Sequence, residues 1–151
     1  MIRILNGDLL EAEEDVIVHQ VNCQSKFGSG IALQIRNRYP SAYKDYMDFS
    51  SGKRPIDLLG RVVLSPMPNH RFIAHLYGQL NYGYEKRRYT SYDALFDGLT
   101  YIKNSAKKAG KSIAVPYKLG SDRGGANWEI VYKIIEDVFF DYDVTIYKLE
   151  V

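Results

Sequence analysis

The sequence predicts an α/β fold, on three observations. Short apolar runs of strand composition alternate with stretches of helical period along the chain. Two glycine-rich loops, FGSGIA and LGSDRGGA, each lie between a strand and a helix. With 151 residues and 46% hydrophobic content, the chain is long enough for one domain, 1–151, with a core of its own and short for two. In a sheet of this kind helices cover both faces, and ligands collect at the carboxyl ends of strands.

The elements follow in order. Ile2 to Leu5 is a first strand that ends at Asn6-Gly7-Asp8, and Glu11 to Asp15 reads as a solvated acidic turn. Val16 to Val21 is the second strand, with His19, Asn22 and Cys23 toward its end. After the glycine turn, Ile31 to Arg38 is helical and stops before Pro40. Ser41 is the expected N-cap of a further helical segment reaching Met47. Ser50 to Pro55 is loop. Arg61 to Ser65 and Arg71 to Tyr77 are strands, split by Pro66, Pro68 and Asn69 in the manner of a hairpin. Tyr82 to Tyr89 has no period and is an exposed loop, in which Lys86-Arg87-Arg88 is a phosphate contact or simply a solvated face. Thr90-Ser-Tyr-Asp is a capping sequence. Leu95, Phe96, Leu99, Ile102 and Ala106 recur every three or four residues up to Gly110, which marks an amphipathic helix. Ser112 to Val115 is a strand, and Pro116 to Ala126 is the second glycine loop. Trp128, Val131, Ile134, Ile135 and Val138 mark the last helix, and β-branched Val144 to Leu149 the last strand.

Composition narrows the function classes. Lys and Arg number 20 against 18 Asp and Glu, and the balance of +2 is too small to argue for a nucleic-acid surface, though a local basic patch fits it. A single cysteine, Cys23, excludes an intrachain disulfide, and nothing beside it marks a nucleophile. No apolar signal core follows Met1 and no window approaches a membrane span, so the expected setting is the cytoplasm with no membrane partner. A glycine turn between strand and helix leaves free N–H groups at the helix start, where an anion such as phosphate can sit. Two such loops can grip a diphosphate from opposite sides. Neither GxxxxGK[ST] nor GxGxxG occurs, which excludes a P-loop and a Rossmann fingerprint.

Four segments in the same order, NGDLL, VHQVNCQSKFGSGIALQIRNRYPSAYKDY, VPYKLGSDRGGANWEIVYKIIEDVF and VTIYKL, resemble a macrodomain. The resemblance is closest to the small stand-alone macrodomains related to yeast ADP-ribose 1''-phosphate phosphatase and human terminal ADP-ribose glycohydrolase. It covers almost the whole chain, is strongest from His19 to Tyr46 and weakest between Ser50 and Tyr89. It implies a three-layer α/β/α fold with a central mixed sheet, no cofactor and no metal, and a monomer that binds ADP-ribose or ADP-ribose 1''-phosphate. ADP-ribosylated protein or nucleic acid is the further partner it implies.

Residue by residue, Asp8 and Leu9 match the adenine end, Asp8 as acceptor of the adenine amino group or else a strand-end carboxylate. Asn22 matches the asparagine facing the distal ribose, or caps a loop. Gly28, Ser29, Gly30 and Ile31 match the first phosphate loop; Leu119, Gly120, Ser121, Gly124, Gly125 and Ala126 match the second. Tyr147 stacks on adenine or is merely buried. For catalysis, the phosphatase branch has a histidine at the position of His19, which is then a proton shuttle or a structural strand residue. The glycohydrolase branch uses a lysine where this chain has Gln79, and an aspartate four residues before the tryptophan, where it has Gly124. Asp122, two places earlier, is the candidate substitute. Two function classes follow, a hydrolase of ADP-ribose 1''-phosphate or of an ADP-ribosyl or O-acetyl-ADP-ribose ester, and a reader without turnover. A binder of another diphosphate nucleotide is the third.

Overall fold

Every apolar run of strand composition pairs into one sheet. In the computed structural model, which describes residues 1–28 and 30–149, the strands are β1 (Ile2–Asn6), β2 (Val16–Asn22), β3 (Val62–Met67), β4 (Arg71–Gln79), β5 (Ile113–Pro116) and β6 (Val144–Lys148). They lie in the order β1-β6-β5-β2-β4-β3. Neighbours are parallel except β3 with β4, which form an antiparallel hairpin across a 3₁₀ turn at Pro68–His70, so the sheet is mixed. The helices are α1 (Gly30–Arg38), α2 (Pro40–Ser50), α3 (Pro55–Leu58), α4 (Tyr92–Ala109) and α5 (Trp128–Val138).

The period of two along β2 sorts its side chains into two cores. Val16 and Val18 pack with Ala74, Leu76, Ile113 and Val115 against Leu95, Leu99 and Ile102 of α4 and Val131 and Ile135 of α5. Ile17 and Val21 pack with Ile73, Tyr77 and Ala114 against Ile35 of α1, Ala42 and Tyr46 of α2 and Leu58 of α3. Each face of the sheet is thus covered by helices, giving the three α/β/α layers. Helix α4 begins where Ser91 accepts a hydrogen bond from the Ala94 amide at 3.1 Å, and ends at Gly110, whose φ of +68° closes the last turn. It lies so close to β4 that a Cβ at Gly98 would stand 2.5 Å from Leu76 Cγ.

Several local expectations are corrected. Ser41 is not an N-cap: Pro40 takes the first helical position and Tyr39 the cap, without a side-chain bond. Proline's fixed φ and missing N–H suit that position. The helix then runs on to Ser50, and α3 occupies part of what reads as loop. The segment before β2 is not uniformly solvated. Leu9–Glu11 form a 3₁₀ turn capped by Asp8, whose Oδ1 accepts from the Leu10 amide at 3.0 Å, and Leu9 and Leu10 are buried. Glu14 is buried as well, accepting the Tyr147 hydroxyl at 2.6 Å. Phe96 is 46% exposed and lies off the core stripe.

Candidate functional site

Five parallel strands end on one edge of the sheet, and the loops leaving β2, β4 and β5 enclose a cleft of about 680 Å³. Its first wall is the turn from β2 into α1. Asn22 organises that turn: its Oδ1 accepts from the Gln24 and Lys26 amides at 2.9 and 3.2 Å, and its Nδ2 donates to the Lys26 carbonyl at 2.7 Å. The Tyr46 hydroxyl pins the Asn22 carbonyl at 2.7 Å. Gly30, at φ +59°, opens α1, and a Cβ added at Gly28 or Gly30 meets no atom within 4 Å. The helix end therefore faces open space with its backbone N–H groups accessible.

The second wall is the loop from β5 to α5, held by a neutral network rooted on Gln20. Gln20 Nε2 donates to Gln79 Oε1 at 2.7 Å and to Thr90 Oγ1 at 2.8 Å, and Thr90 donates onward to the Gly120 carbonyl at 2.8 Å. Gln79 Nε2 bonds the Asn81 carbonyl at 2.8 Å, which fixes the direction of the chain. Gly120 and Gly125 sit at φ +70° and +69°. A Cβ at Gly124 would collide with Thr90 Oγ1 and the Gly120 carbonyl and stand 3.0 Å from Gln20 Nε2. The amides of Tyr89 and Thr90 both donate to the Gly124 carbonyl, at 2.8 and 2.9 Å, so the loop that carries Tyr82 and Tyr84 is fastened to this wall.

The lining is cationic. Lys26, Arg36, Lys118 and Arg123 line the cleft, against Asp122 as its one carboxylate among the described residues. Two of the cations lie over tyrosine rings of the same cleft, Arg36 over Tyr43 at 4.1 Å and Arg123 over Tyr84 at 4.5 Å. On the floor is His19, 2% exposed, its Nε2 2.7 Å from Nδ1 of His75 on β4. His75 Nε2 lies 2.8 Å from Ser65 Oγ. Burial and the neighbouring His75 hold the His19 imidazole well below its ordinary range, and burial pushes His75 down to about 4, so both rings are neutral at pH 7. Burial raises the Cys23 thiol to about 12, which leaves it protonated and unreactive.

Of the residues singled out from sequence, the cleft brings together His19, Asn22, Gly28, Gly30, Ile31, Leu119, Gly120, Asp122 and Gly124. Ser121, Gly125 and Ala126 belong to the second wall without lining the space. Ser29 lies outside the described residues. Asp8 and Leu9 stand at the end of β1, outside the cleft, with Asp8 used as the turn cap. Tyr147 also lies outside the lining; it is in register with Pro116, and its carbonyl accepts the Tyr117 amide at 2.9 Å, so it borders the cleft. Its hydroxyl, committed to Glu14, is raised to about 12 by burial and then by that bond. Sequence reasoning missed Gln20, His75, Lys26, Arg36, Lys118 and Arg123. A signal existed for the first two, since each is a polar residue inside an otherwise apolar strand.

An α/β/α protein with an anion-type loop and a cationic cleft at the carboxyl end of its sheet is the class that fold and site define. The Macro domain family model matches residues 18–135, and the chain belongs to the macrodomain family. Among its relatives, the DNA ADP-ribosyl glycohydrolase of Mycobacterium tuberculosis is 32% identical over 153 residues, covering 97% of this chain and 42% of that protein. The ADP-ribose 1''-phosphate phosphatase of Saccharomyces cerevisiae is 27% identical over 176 residues, covering 98% of each. The chain thus spans less than half of the first relative and nearly all of the second. Among solved structures, the macrodomain of Mycobacterium tuberculosis DarG superposes with a TM-score of 0.80 at 28% identity over 97% of both chains.

Proposed function

We propose that this macrodomain binds ADP-ribose and hydrolyses a derivative of it, with ADP-ribose 1''-phosphate as the first candidate substrate. The observation that carries the reading is the cleft itself: cationic side chains between two glycine walls, in a volume of about 680 Å³ that suits a nucleotide-sized ligand. The whole-length similarity to a phosphatase of that substrate supports the choice. Asp122 is the side chain placed to activate water, because it lines the cleft and is exposed, whereas His19 is neutral and tied to His75.

Removal of ADP-ribose from DNA is the second reading, favoured by the relatives named for it. The neutral Gln20–Gln79–Thr90 network argues against the lysine and aspartate route, since it fills the space at Gly124. Calorimetry with ADP-ribose, followed by turnover assays on ADP-ribose 1''-phosphate, O-acetyl-ADP-ribose and ADP-ribosylated DNA, tests the proposal. Micromolar binding, about −8 kcal/mol, is expected, and Gly30→Glu abolishes it by placing a carboxylate in the anion site. Binding without turnover of any substrate makes the protein a reader. Unchanged affinity in Gly30→Glu removes the first glycine loop from the site.

A further inference from the structure

His19 and His75 face each other across paired strands, and with Ser65 they form a chain of three side chains, each at most 2% exposed. The chain begins at the cleft floor and ends on β3. His19 Nδ1 is buried and has no partner in the protein. Because both rings are neutral, each carries a single N–H, and the hydrogens can be arranged in two directions.

In one direction the Ser65 hydroxyl donates to His75 Nε2, His75 Nδ1–H donates to His19 Nε2, and only His19 Nδ1–H is left unmatched. In the other direction His19 Nε2–H donates to His75 Nδ1 and His75 Nε2–H donates to Ser65. The Ser65 hydrogen then has no acceptor, since Oγ makes no other hydrogen bond among the described residues. The His19 Nδ1 lone pair is unmatched as well. Unmatched buried polar groups are costly, so the direction that leaves one instead of two prevails.

We propose that Ser65 and His75 are positioning residues that hold His19 in its Nδ1–H form, so that the cleft floor offers a proton donor to an acceptor oxygen of the ligand. This deepens the function proposed above and rests on it for the identity of the ligand. His19 then binds and polarises; it does not collect a proton.

Long-range ¹⁵N–¹H NMR on the histidine-labelled protein reads the tautomers directly at pH 7. Both histidines are expected as Nδ1–H, the form that an isolated neutral imidazole disfavours, and an Nε2–H signal from either one overturns the proposal. Ser65→Ala removes the hydroxyl that sets the direction while leaving the fold, checked by circular dichroism. If the competent tautomer then falls to about a fifth of molecules, apparent ADP-ribose affinity falls about fivefold, and Ser65→Thr restores it. Wild-type affinity in Ser65→Ala overturns the donor role. Failure of the wild type itself to bind ADP-ribose counts against the proposed function, and the tautomer spectrum still decides the hydrogen direction.

Discussion

At the residue scale, the two histidines make stability depend on pH in a direction that follows from their burial. His75 has its folded pKa depressed to about 4, while an unfolded histidine titrates near its ordinary value of about 6.5. As pH falls below about 6.5 the unfolded chain takes up protons that the folded one refuses. The contribution of His75, on the order of 3 kcal/mol, is therefore present above that pH and lost as pH falls through about 4. Urea denaturation at pH 7 and pH 4.5 should show wild type losing more stability than His75→Gln, and parallel losses would mean that the buried pair does not govern acid sensitivity. Gly124 makes a second residue-scale case. Asp at this position meets Thr90 and the Gly120 carbonyl, so Gly124→Asp should lower stability by about 1–3 kcal/mol in thermal melts without creating glycohydrolase activity. A stable, active variant would show that the neutral network yields easily.

At the element scale, α4 shows packing opposing intrinsic propensity. Replacing a mid-helix glycine by alanine ordinarily gains about 1 kcal/mol. At Gly98 the new methyl stands 2.5–2.8 Å from the Leu76 side chain on β4. Overpacking costs about 1–3 kcal/mol, so Gly98→Ala should be net destabilising in denaturant titration, with Leu76→Ala in the same chain relieving part of the loss. The long helices were legible in the sequence because Leu95, Leu99 and Ile102, and Val131, Ile135 and Val138, repeat at the helical period regardless of what they pack on. The short α3 and the Pro40 start had no such period to declare them. The strands were legible from apolar runs, but their pairing was not: a run of residues does not state which strand lies beside it.

At the scale of the whole molecule, that unstated pairing explains what could be read of the site. Both glycine walls announced themselves locally, through residues next to one another in the chain. The His19–His75 contact joins positions 56 apart, Gln20–Thr90 joins positions 70 apart, and Glu14–Tyr147 joins positions 133 apart. Each exists only once β2, β4 and β6 take their places in the sheet. The charge distribution is likewise a property of the fold, since a chain of net charge +2 gathers Lys26, Arg36, Lys118 and Arg123 around a single cleft. Attraction between that cleft and a diphosphate is screened by salt. ADP-ribose affinity, measured by calorimetry, should fall about three- to tenfold between 50 and 500 mM NaCl. Salt-independent affinity would assign binding to the backbone amides and ring contacts alone.

The side-chain chain beneath the cleft also reaches the margin of the sheet, because Ser65 belongs to β3, which pairs only with β4. A ligand oxygen held by His19 would draw the whole chain tight, although no residue of β3 lines the cleft. Opening of the β3–β4 hairpin would then break a contact to the ligand, and the bound state would open less often. Amide hydrogen exchange along Val62–Met67 should accordingly slow when ADP-ribose binds, and Ser65→Ala should uncouple it. The margin of the sheet would thereby report on an occupant that it never touches.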